Sequence, residues 1–415
     1  MIENIKTQVC IIGAGPSGLM ASIFAARAGA STIVMETNTS LGRKLLLTGG
    51  KRCNLTHQIE SAHLIHLYDK MGKFLSCCIY EYSPQYIRNF FAQIGLNTTV
   101  EEDGCVFPAT YKAEDVKNVL IREVQRLKVK FFYDKPVREI VKVAGGFLIK
   151  TDKQQFLAEK IIIATGGISW PQTGSTGDGY RFAKNLGHSI VEPRASLVPL
   201  VTSEKWTKEL AGTSISNVSI SANLNRKRIV THGAIVFTNN GLGGPAAQDM
   251  SRYMTDFLPA EEKPLGIALD LVPYLQQEEM EEQIIRFTNE NPKKKLENAL
   301  ADFVPKRIAS IICSFAGCDD DVPMGQLKKE IRQKIVRLIK ALPLSVLRTR
   351  PIEEATVTRG GVNLAEINPK TMESKICPGL FFAGEVIDAD GPCGGYNLQI
   401  CWSTGALAGS CAAKK

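Results

Sequence analysis

The chain has 415 residues, of which 44% are hydrophobic and 22% are charged, and its formal net charge is +8. This length allows two or three domains with complete cores, and the composition is that of an ordinary globular protein, with no apolar stretch approaching a membrane span. The positive charge is too diffuse to indicate a nucleic-acid partner by itself.

The chain opens on a strand, a glycine-rich turn and a helix. The apolar run 9–12 predicts the strand, Gly13-x-Gly15-x-x-Gly18 follows it directly, and a helix begins near Pro16. In this pattern the first glycine permits a tight turn, the second lets the backbone approach a pyrophosphate, and the third lets the helix pack on the strand. The free N–H groups of the helix favour the phosphates of a dinucleotide.

The next predicted strand, 32–35, ends at Glu36. A carboxylate in this place can accept hydrogen bonds from both hydroxyls of a ribose. It disfavours a 2′-phosphate, so NADP is not the dinucleotide expected here.

A loop rich in glycine and basic residues follows, from Gly42 to Asn54. Lys44, Lys51 and Arg52 lie among its glycines, which indicates a backbone that approaches a ligand closely. We interpret the loop as one that wraps a cofactor and offers cations to it. The alternative is a solvated basic turn.

Helices and strands alternate after this loop. Apolar spacing between polar flanks predicts helices over 84–96 and 113–127, and strands are predicted at 131–133, 137–143, 146–151 and 160–164. The last strand ends in Thr165-Gly166-Gly167, a second turn of the kind that passes close to a bound cofactor.

The pattern of residue types changes after Pro193. Short runs rich in Val, Ile, Ser and Thr predict antiparallel strands up to about residue 275. Residues 278–342 are predicted to be helical, with one apolar stripe made by Leu327, Ile331, Ile335, Leu338 and Leu342.

The last segment returns to a strand followed by a helix. An apolar strand runs into Gly384-Glu385, and Gly394-Gly395 precedes a helix over 398–412. This pattern is typical of an FAD site: the carboxylate can bind ribityl hydroxyls, and the helix can direct its N–H groups at the flavin pyrimidine ring. The alternative is a strand that ends beside a helix cap.

The cysteines, two histidines and two basic runs give little indication of a further functional site. Eleven cysteines are scattered without the spacing of a disulfide framework, which favours a reducing cytoplasm, and we interpret them as packing residues, with Cys53 and Cys393 the two in predicted cofactor loops. His63 and His66 have no accompanying acid or thiol cluster, so no metal is predicted. The basic runs 226–228 and 293–295 are interpreted as solvated turns because no interleaved aromatic residue supplies stacking.

Together these motifs resemble those of a bacterial flavoprotein family, the YhiN-like or BaiN/RdsA-type FAD-dependent oxidoreductases. The resemblance spans nearly the whole chain. It is carried by the first glycine pattern and by Gly42-Arg43-Lys44, Arg52-Cys53-Asn54-Leu55-Thr56, residues 164–167, residues 173–179 and Gly394-Gly395-Tyr396-Asn397-Leu398-Gln399.

The resemblance implies FAD bound by a glutathione-reductase-like domain, with a β-barrel and helices inserted where other flavoproteins carry a nicotinamide domain. The family is associated with a bile-acid reductase and an aminoacetone oxidase, so membership does not choose the reaction. This sequence departs from the family pattern at Asn239, where a histidine is common, and at Lys51, where a small residue is common. No acid–base role is therefore carried over to position 239.

We predict an α/β fold: a glutathione-reductase-like FAD-binding Rossmann domain from residues 1–192 and 352–415, and an insertion domain from 193–351. The insertion divides into a β-rich part, 193–275, and a helical part, 276–351. The residues predicted to bind the cofactor are Gly13, Ala14, Gly15, Pro16, Ser17, Gly18, Glu36, Thr37, Gly42, Arg43, Lys44, Gly50, Arg52, Cys53, Asn54, Val137, Thr165, Gly166, Gly167, Asp178, Gly384, Glu385, Gly395, Asn397, Leu398 and Gln399.

The leading functional interpretation is an oxidoreductase that passes hydride between NAD(P)H or a small organic substrate and flavin N5, in a cleft between the two domains. Reduction of an activated C=C bond is favoured. No second GxGxxG follows a strand, so NAD(P)H is expected to bind transiently. Tyr396 is a weak candidate for the catalytic proton donor.

Three alternatives stay open: an amine oxidase using O2, an RNA-modifying flavoprotein, and a carrier that holds FAD without turnover. The low density of basic and aromatic residues together disfavours the RNA-modifying enzyme. We expect a cytoplasmic protein with a small-molecule substrate, no nucleic-acid partner and no membrane association.

Overall fold

The computed structural model describes residues 5–258 and 263–414. The helices in chain order are α1 (Pro16–Arg27), α2 (Ser61–Leu67), α3 (Gly72–Glu81), α4 (Pro84–Gln93), α5 (Ala113–Arg126), α6 (Asp178–Asn185), α7 (Pro245–Met254), α8 (Gln277–Glu290), α9 (Leu296–Leu300), α10 (Lys306–Ala316), α11 (Lys329–Lys340) and α12 (Tyr396–Ala412). The strands are β1 (Ile5–Ile12), β2 (Thr32–Met35), β3 (Thr56–His57), β4 (Thr98–Val100), β5 (Cys105–Pro108), β6 (Lys130–Phe132), β7 (Glu139–Val143), β8 (Gly146–Lys150), β9 (Gln155–Ile163), β10 (Ile190–Ser196), β11 (Leu200–Thr202), β12 (Ser214–Leu224), β13 (Lys227–Thr238), β14 (Gly241–Gly243), β15 (Leu265–Asp270), β16 (Leu342–Thr349), β17 (Val357–Val362) and β18 (Leu380–Phe382).

The described chain divides into two units. The first runs up to Arg194 and resumes at Ile352, and the second is Ala195–Pro351. Each unit has its own hydrophobic core.

A mostly parallel sheet forms the centre of the first unit, with the order β6-β2-β1-β9-β8-β7 and with β18 also paired to β9. Strand β1 pairs in parallel with β2 and β9, and β18 pairs in parallel with β9 through Phe382 and Ile163. Residues 33–35 of β2 and the last four residues of β1 are buried apolar side chains, as expected for parallel strands covered on both faces. The carboxyl ends of these strands lie at one edge, where α/β sheets bind ligands.

Helices α1 and α12 pack closely because α12 carries glycines at the contact. A Cβ added to Gly405 would lie 2.5 Å from the carbonyl oxygen of Ser17, and one on Gly409 would lie 2.2 Å from that of Ala21. Glycine therefore lets the two backbones approach. This contact joins an early helix to one nearly four hundred residues later in the chain.

The second unit contains a closed barrel with the strand order β11-β14-β13-β12-β15-β16. Alternate residues of β12 point inward, and Val218, Ile220 and Leu224 are buried in its core. The helices of this unit contribute to the same core, for example through Ile284, Ile312 and Ile339.

The structure confirms the predicted fold class, a Rossmann domain with an inserted β-barrel and helices. The part of the insertion predicted to be helical, 276–351, contains helices α8 to α11, but its end is not helical, because β16 lies there and closes the barrel by pairing with β11 and β15. Leu342 belongs to this strand and not to the helical stripe in which it was placed. Helix α11 ends at Lys340. The apolar spacing of α11 continues to Leu342, so the local sequence does not mark the end of the helix. The pairing of β16 depends on residues far away in the sequence.

Candidate functional site

The glycine turn after β1 leaves part of its backbone accessible. A Cβ on Gly13, where φ is +101°, would lie 2.6 Å from the carbonyl oxygen of Ala164, and one on Gly18 would lie 1.9 Å from that of Gly13. A Cβ on Gly15 would meet nothing within 4 Å. Gly15 is also the N-cap residue of α1 and gives it no side-chain cap, so N–H groups of the first helical turn remain available to an anion.

The other residues of this turn support its shape. The Ala14 N–H donates to Glu36 Oε2 at 2.9 Å, and Pro16 occupies the first helical position, where no N–H is needed. Ser17 is buried, and a Cβ on Gly384 would lie 2.3 Å from its Oγ. The turn after β1 therefore contacts the turn after β18.

Glu36 is buried at the end of β2 and is held by backbone and side-chain donors. Its Oε1 accepts hydrogen bonds from Asn38 N and Nδ2, each at 2.8 Å, and its Oε2 accepts the one from Ala14. A carboxylate can accept about four hydrogen bonds, so Oε2 retains capacity for a ligand hydroxyl. Thr37 is exposed beside it.

Two further predicted cofactor residues, Asp178 and Val137, belong to segments that lie near this end of the sheet. The loop before Asp178 approaches Glu36 through Asn38, whose Nδ2 donates to the Thr173 carbonyl at 3.0 Å. Asp178 itself is exposed and accepts hydrogen bonds from Thr176 and Arg181.

Val137 is buried in the segment that follows Lys135, whose N–H donates to the Glu36 carbonyl at 3.0 Å. The segment before β7 therefore runs alongside the end of β2.

The basic loop is attached to the glycine turn through Gly42, whose N–H donates to the Ala14 carbonyl. Arg43 turns towards Asn38 and donates to its Oδ1 at 2.6 Å. Farther along, Gly50, Lys51 and Cys53 all have positive φ, which is rare for the two non-glycine residues and marks local strain. Gly50 is exposed and has open space beside it.

Cys53 is a buried thiol. Its side chain has no exposed surface, and burial raises its pKa to about 12. A thiol of this kind stays protonated at neutral pH and is a poor nucleophile.

Lys44 and Glu385 form a largely buried ion pair. Lys44 Nζ lies 2.7 Å from Glu385 Oε2 and 2.7 Å from Ser169 Oγ. Glu385 Oε1 also accepts hydrogen bonds from Ser169 Oγ at 3.0 Å and from the Thr358 N–H at 2.8 Å. Sequence reasoning placed both charges at the cofactor; the structure brings them together and pairs them with each other.

Thr358 and Ser169 were missed by the sequence reasoning. Thr358 Oγ1 accepts hydrogen bonds from the N–H groups of Ile168 and Ser169, and a Cβ on Gly167 would lie 2.3 Å from it. Thr358 thus fixes the turn of Thr165, Gly166 and Gly167 after β9. Nothing in the local sequence marks it, because its partners lie almost two hundred residues away.

Arg52 is about half exposed and stacks on an aromatic ring. Its guanidinium carbon lies 4.4 Å from the centre of the Phe107 ring, and Nη1 lies 3.2 Å from Glu101 Oε1. The Asn54 amide, oriented to satisfy its surroundings, donates to the carbonyls of Thr56 and Val106 and accepts from the Gly395 N–H at 3.3 Å. Asn54 therefore connects the basic loop to the start of α12.

The residues at the start of α12 stabilise the preceding loop. Asn397 accepts from the Gly391 N–H and donates to the carbonyls of Gly391 and Pro392. Gln399 is fully buried and bonds to Thr56 Oγ1, the Tyr82 carbonyl and Ser403 Oγ. Because protein groups occupy these amides, we assign Asn397 and Gln399 a positioning role; Leu398 packs beside them with 9% exposure.

Gly395 is the N-cap residue of α12, with φ of +87° and no side chain to cap the helix. The Tyr396 ring stacks on His57 with centres 4.9 Å apart, and the Tyr396 carbonyl accepts from Tyr68 Oη at 2.8 Å. His57 was missed by the sequence reasoning. Burial lowers its pKa, which favours the neutral imidazole.

Asp388 is a further residue that the sequence reasoning missed, in the loop between Gly384 and Gly394. Burial raises the pKa of its carboxyl; Asp390 adds to this effect, whereas Lys70 and Arg359 oppose it. Perturbed acids in loops beside a ligand edge are candidates for proton transfer. Asp388 lies between two predicted cofactor turns, and this position is the signal in the sequence that could have identified it.

Two buried hydroxyls lie next to the same turns. Among the described residues, Thr165 Oγ1 and Tyr180 Oη are buried without a hydrogen-bond partner. Burial, followed by Glu385 and Asp388, raises the pKa of Tyr180. Buried polar groups normally have partners, so these two mark a place where a bound molecule or water completes the network.

The described residues hold no group of three or more His, Cys, Asp or Glu side chains that could bind a metal ion, and none of their helices is long and apolar enough to cross a membrane.

Comparison with known proteins places these features in context. A model described as "HI0933-like protein Rossmann domain" matches residues 7–411. The 3-dehydro-bile acid delta(4,6)-reductase of Clostridium scindens is 30% identical over 98% of this chain and 99% of its own length. The ribosomal RNA dihydrouridine synthase of Haemophilus influenzae is 30% identical over 97% of this chain and 96% of its own length.

Among solved structures, 3-ketosteroid delta1-dehydrogenase from Sterolibacterium denitrificans resembles this chain with a TM-score of 0.55. The likeness covers 98% of this chain and 99% of that one at 13% identity, and it concerns the fold alone.

Proposed function

The chain belongs to the HI0933-like family, a family of FAD-dependent oxidoreductases, and we propose that it reduces a C=C bond conjugated to a carbonyl group. The substrate in this proposal is a small organic molecule, and NADH or NADPH is the electron donor. The observation that carries the cofactor part of the proposal is the accessible backbone at Gly15, at the carboxyl edge of a mostly parallel sheet.

The residues at this edge fit FAD. The uncapped N-terminus of α1 at Gly15 suits the pyrophosphate, the remaining lone pair of Glu36 suits the ribose, and the uncapped N-terminus of α12 at Gly395 suits the flavin pyrimidine ring. The unpartnered Thr165 hydroxyl in the turn after β9 adds a polar group that a ligand would satisfy. When bound, FAD supplies hydride transfer, which no amino-acid side chain provides.

The relatives support the type of reaction. One is named a delta(4,6)-reductase of a 3-dehydro-bile acid, and the other is named for making dihydrouridine. Both names describe the addition of hydrogen to a ring C=C bond that a carbonyl group activates. This shared chemistry favours a reductase over an amine oxidase for the present chain.

Such a reduction also needs a proton, and two side chains could supply it. Tyr396 has its ring held against His57 at the start of α12. Asp388 lies in the loop before that helix, and burial raises its pKa, so the carboxyl keeps its proton at a higher pH than usual. We propose Asp388 as the proton-holding group, with Tyr396 as the alternative.

A second candidate substrate is a uracil base within RNA. The observation that favours it is the dihydrouridine synthase, which is as similar to this chain as the bile-acid reductase is. The reaction type is the same in both cases, and the candidates differ in whether the reacting ring is carried by a small molecule or by a polymer.

The test begins with anaerobic reduction. Purified protein containing FAD is mixed with NADH and, separately, with NADPH, and loss of the oxidised flavin band is followed by stopped flow. The reduced protein is then mixed with a 3-oxo-4-ene steroid or a uridine oligomer, and mass spectrometry measures the gain of hydrogen in the product.

We expect at least one nicotinamide to reduce the flavin and the enone to reoxidise it. Flavin that stays oxidised with both nicotinamides contradicts the proposal. Reduction by aminoacetone followed by consumption of O2 would identify an amine oxidase instead.

A further inference from the structure

A polar cavity of about 740 Å³ lies on the outer surface of the barrel in the second unit. Its floor is the outward face of β12, where Asn217, Ser219, Ser221 and Asn223 follow one another at every second position. The intervening residues point into the barrel core, so this face is fixed by the strand alternation.

The neighbouring strands extend the floor, mostly with short side chains, and His232 is the longest of them. Ser221 pairs with Ala268 of β15 and Val230 of β13, and Ser219 pairs with Asp270 and His232. The Ser219 hydroxyl lies 2.8 Å from His232 Nδ1. A sheet face that merely contacts solvent is usually covered by long charged side chains, whereas here short ones leave a trough.

Longer side chains surround this trough. Arg228 is exposed at the second position of β13, directly after Arg226 in the turn and Lys227 at the start of the strand. Tyr274 lines the cavity from the segment after β15 and is 62% exposed. The sequence interpretation of 226–228 as a solvated turn depended on the absence of a nearby aromatic residue, and the fold supplies one from a distant segment.

The net charge of the cavity lining is positive. Its one acid, Asp270, is neutralised by Lys340, whose Nζ lies 2.7 Å from Asp270 Oδ2. Arg228 remains without an acidic neighbour in the lining, and the two bases before it add to the positive potential. The lining therefore offers the Arg228 guanidinium to an anionic group, and Arg226 and Lys227 are adjacent to it in the chain.

We propose that this cavity binds a single strand of RNA. Serine and asparagine side chains on β12 recur about every 7 Å, a spacing similar to that of successive phosphates along an extended strand. Such side chains, together with arginine, are the usual partners of phosphate and sugar oxygens, and they can both donate to and accept from a 2′-hydroxyl. Tyr274 provides a face on which a base can stack.

This site lies on the second unit, and its occupancy needs neither FAD nor any particular substrate at the flavin. The proposal that this cavity binds RNA therefore does not depend on the proposed reductase activity, and either can fail without the other. If the proposed function fails and RNA still binds, the cavity is an RNA site on a protein of different chemistry.

The test measures binding of a fluorescently labelled uridine oligomer to the FAD-containing protein by anisotropy, at several potassium chloride concentrations. We expect Arg228→Gln to lower the slope of log affinity against log salt by about 0.7, the value for one phosphate contact on a single strand. We expect Tyr274→Ala to weaken binding at least about fivefold at every salt concentration. Ser221→Glu, which adds a negative charge to the floor, should weaken binding as well.

Arg122→Gln is the matched control, because it removes the same charge from an exposed position on α5 in the first unit. All variants are checked for unchanged FAD content and unchanged flavin reduction rate. Binding that is insensitive to salt, or equally weakened by Arg122→Gln, overturns the proposal. Equal affinity for the corresponding deoxyribose oligomer refutes the assignment to RNA, and full competition by uridine monophosphate at the same concentration refutes binding of a strand.

Discussion

Replacing Gly15 by alanine should separate cofactor binding from folding. Gly15 has φ of −75° and ψ of −174°, which alanine adopts freely, and the added Cβ meets no atom within 4 Å. We therefore expect the unfolding free energy of the cofactor-free protein to change by less than about 1 kcal/mol, since the lower unfolded-state entropy of alanine offsets its weaker capping.

The same methyl group would stand where the pyrophosphate is proposed to approach. A hydrogen bond to a charged group is worth about 1.5–3 kcal/mol. Losing one of them from the first turn of α1 corresponds to FAD binding about 10- to 150-fold weaker. Titration of the cofactor-free protein with FAD, followed by flavin fluorescence, measures this loss, and urea denaturation measures stability.

Gly18→Ala is the matched comparison. Its Cβ would lie 1.9 Å from the Gly13 carbonyl oxygen, so the helix must shift, and we expect a loss of about 1–3 kcal/mol of stability. If Gly15→Ala binds FAD as tightly as the parent protein, the cofactor does not approach this turn and the reasoning fails. A destabilisation equal to that of Gly18→Ala would show that the space beside Gly15 is not open.

Other residues of the first unit give further predictions. Lys44→Met and Glu385→Gln should each destabilise the protein, and the double variant should lose less than the sum by about 1–3 kcal/mol; additive losses in urea denaturation would argue against a coupled pair. Because the pKa of Asp388 is raised by burial, the folded state loses stability as pH rises from the unfolded pKa of about 3.9 through the folded one. Asp388→Asn should therefore gain stability relative to the parent over that range, and a constant difference from pH 4 to 8 would contradict the raised pKa. Hydrogen bonds from Arg126 and Arg27 lower the pKa of Glu123 to about 2. This contribution is present above the unfolded pKa of about 4.3 and is lost as pH falls towards 2, so Glu123→Gln should cost roughly 1–2 kcal/mol at pH 7, after a discount for solvent screening, and almost nothing at pH 2.

The features that could be predicted from sequence are those set by neighbours along the chain. The turn of Gly13, Gly15 and Gly18, and the acid at Glu36, are local patterns, and the structure shows the expected strand, turn and helix. The two-part fold class was predicted because the pattern of a strand followed by a helix returns near the C-terminus. Helix α12 was predicted from residue 398 and begins at Tyr396.

The features that could not be predicted depend on partners distant in sequence. A side chain such as Gln399 suits a cofactor site by type, yet Thr56, Tyr82 and Ser403 use its hydrogen-bonding groups. Thr358 looks ordinary in its strand and gains its role from the turn after β9. For the same reason, β16 was assigned to a helical segment before the barrel that needs it was known.

The placement of β18 beside β9 has a consequence for biosynthesis. When the ribosome has made β9, the neighbour that will cover its carboxyl end is still more than two hundred residues from being synthesised. The barrel unit, whose strands lie within one continuous stretch, is complete earlier. Until the nascent chain releases β18 and α12, the exposed edge of β9 and the small-residue face of α1 are open to misassociation, so chaperone demand should peak late in translation.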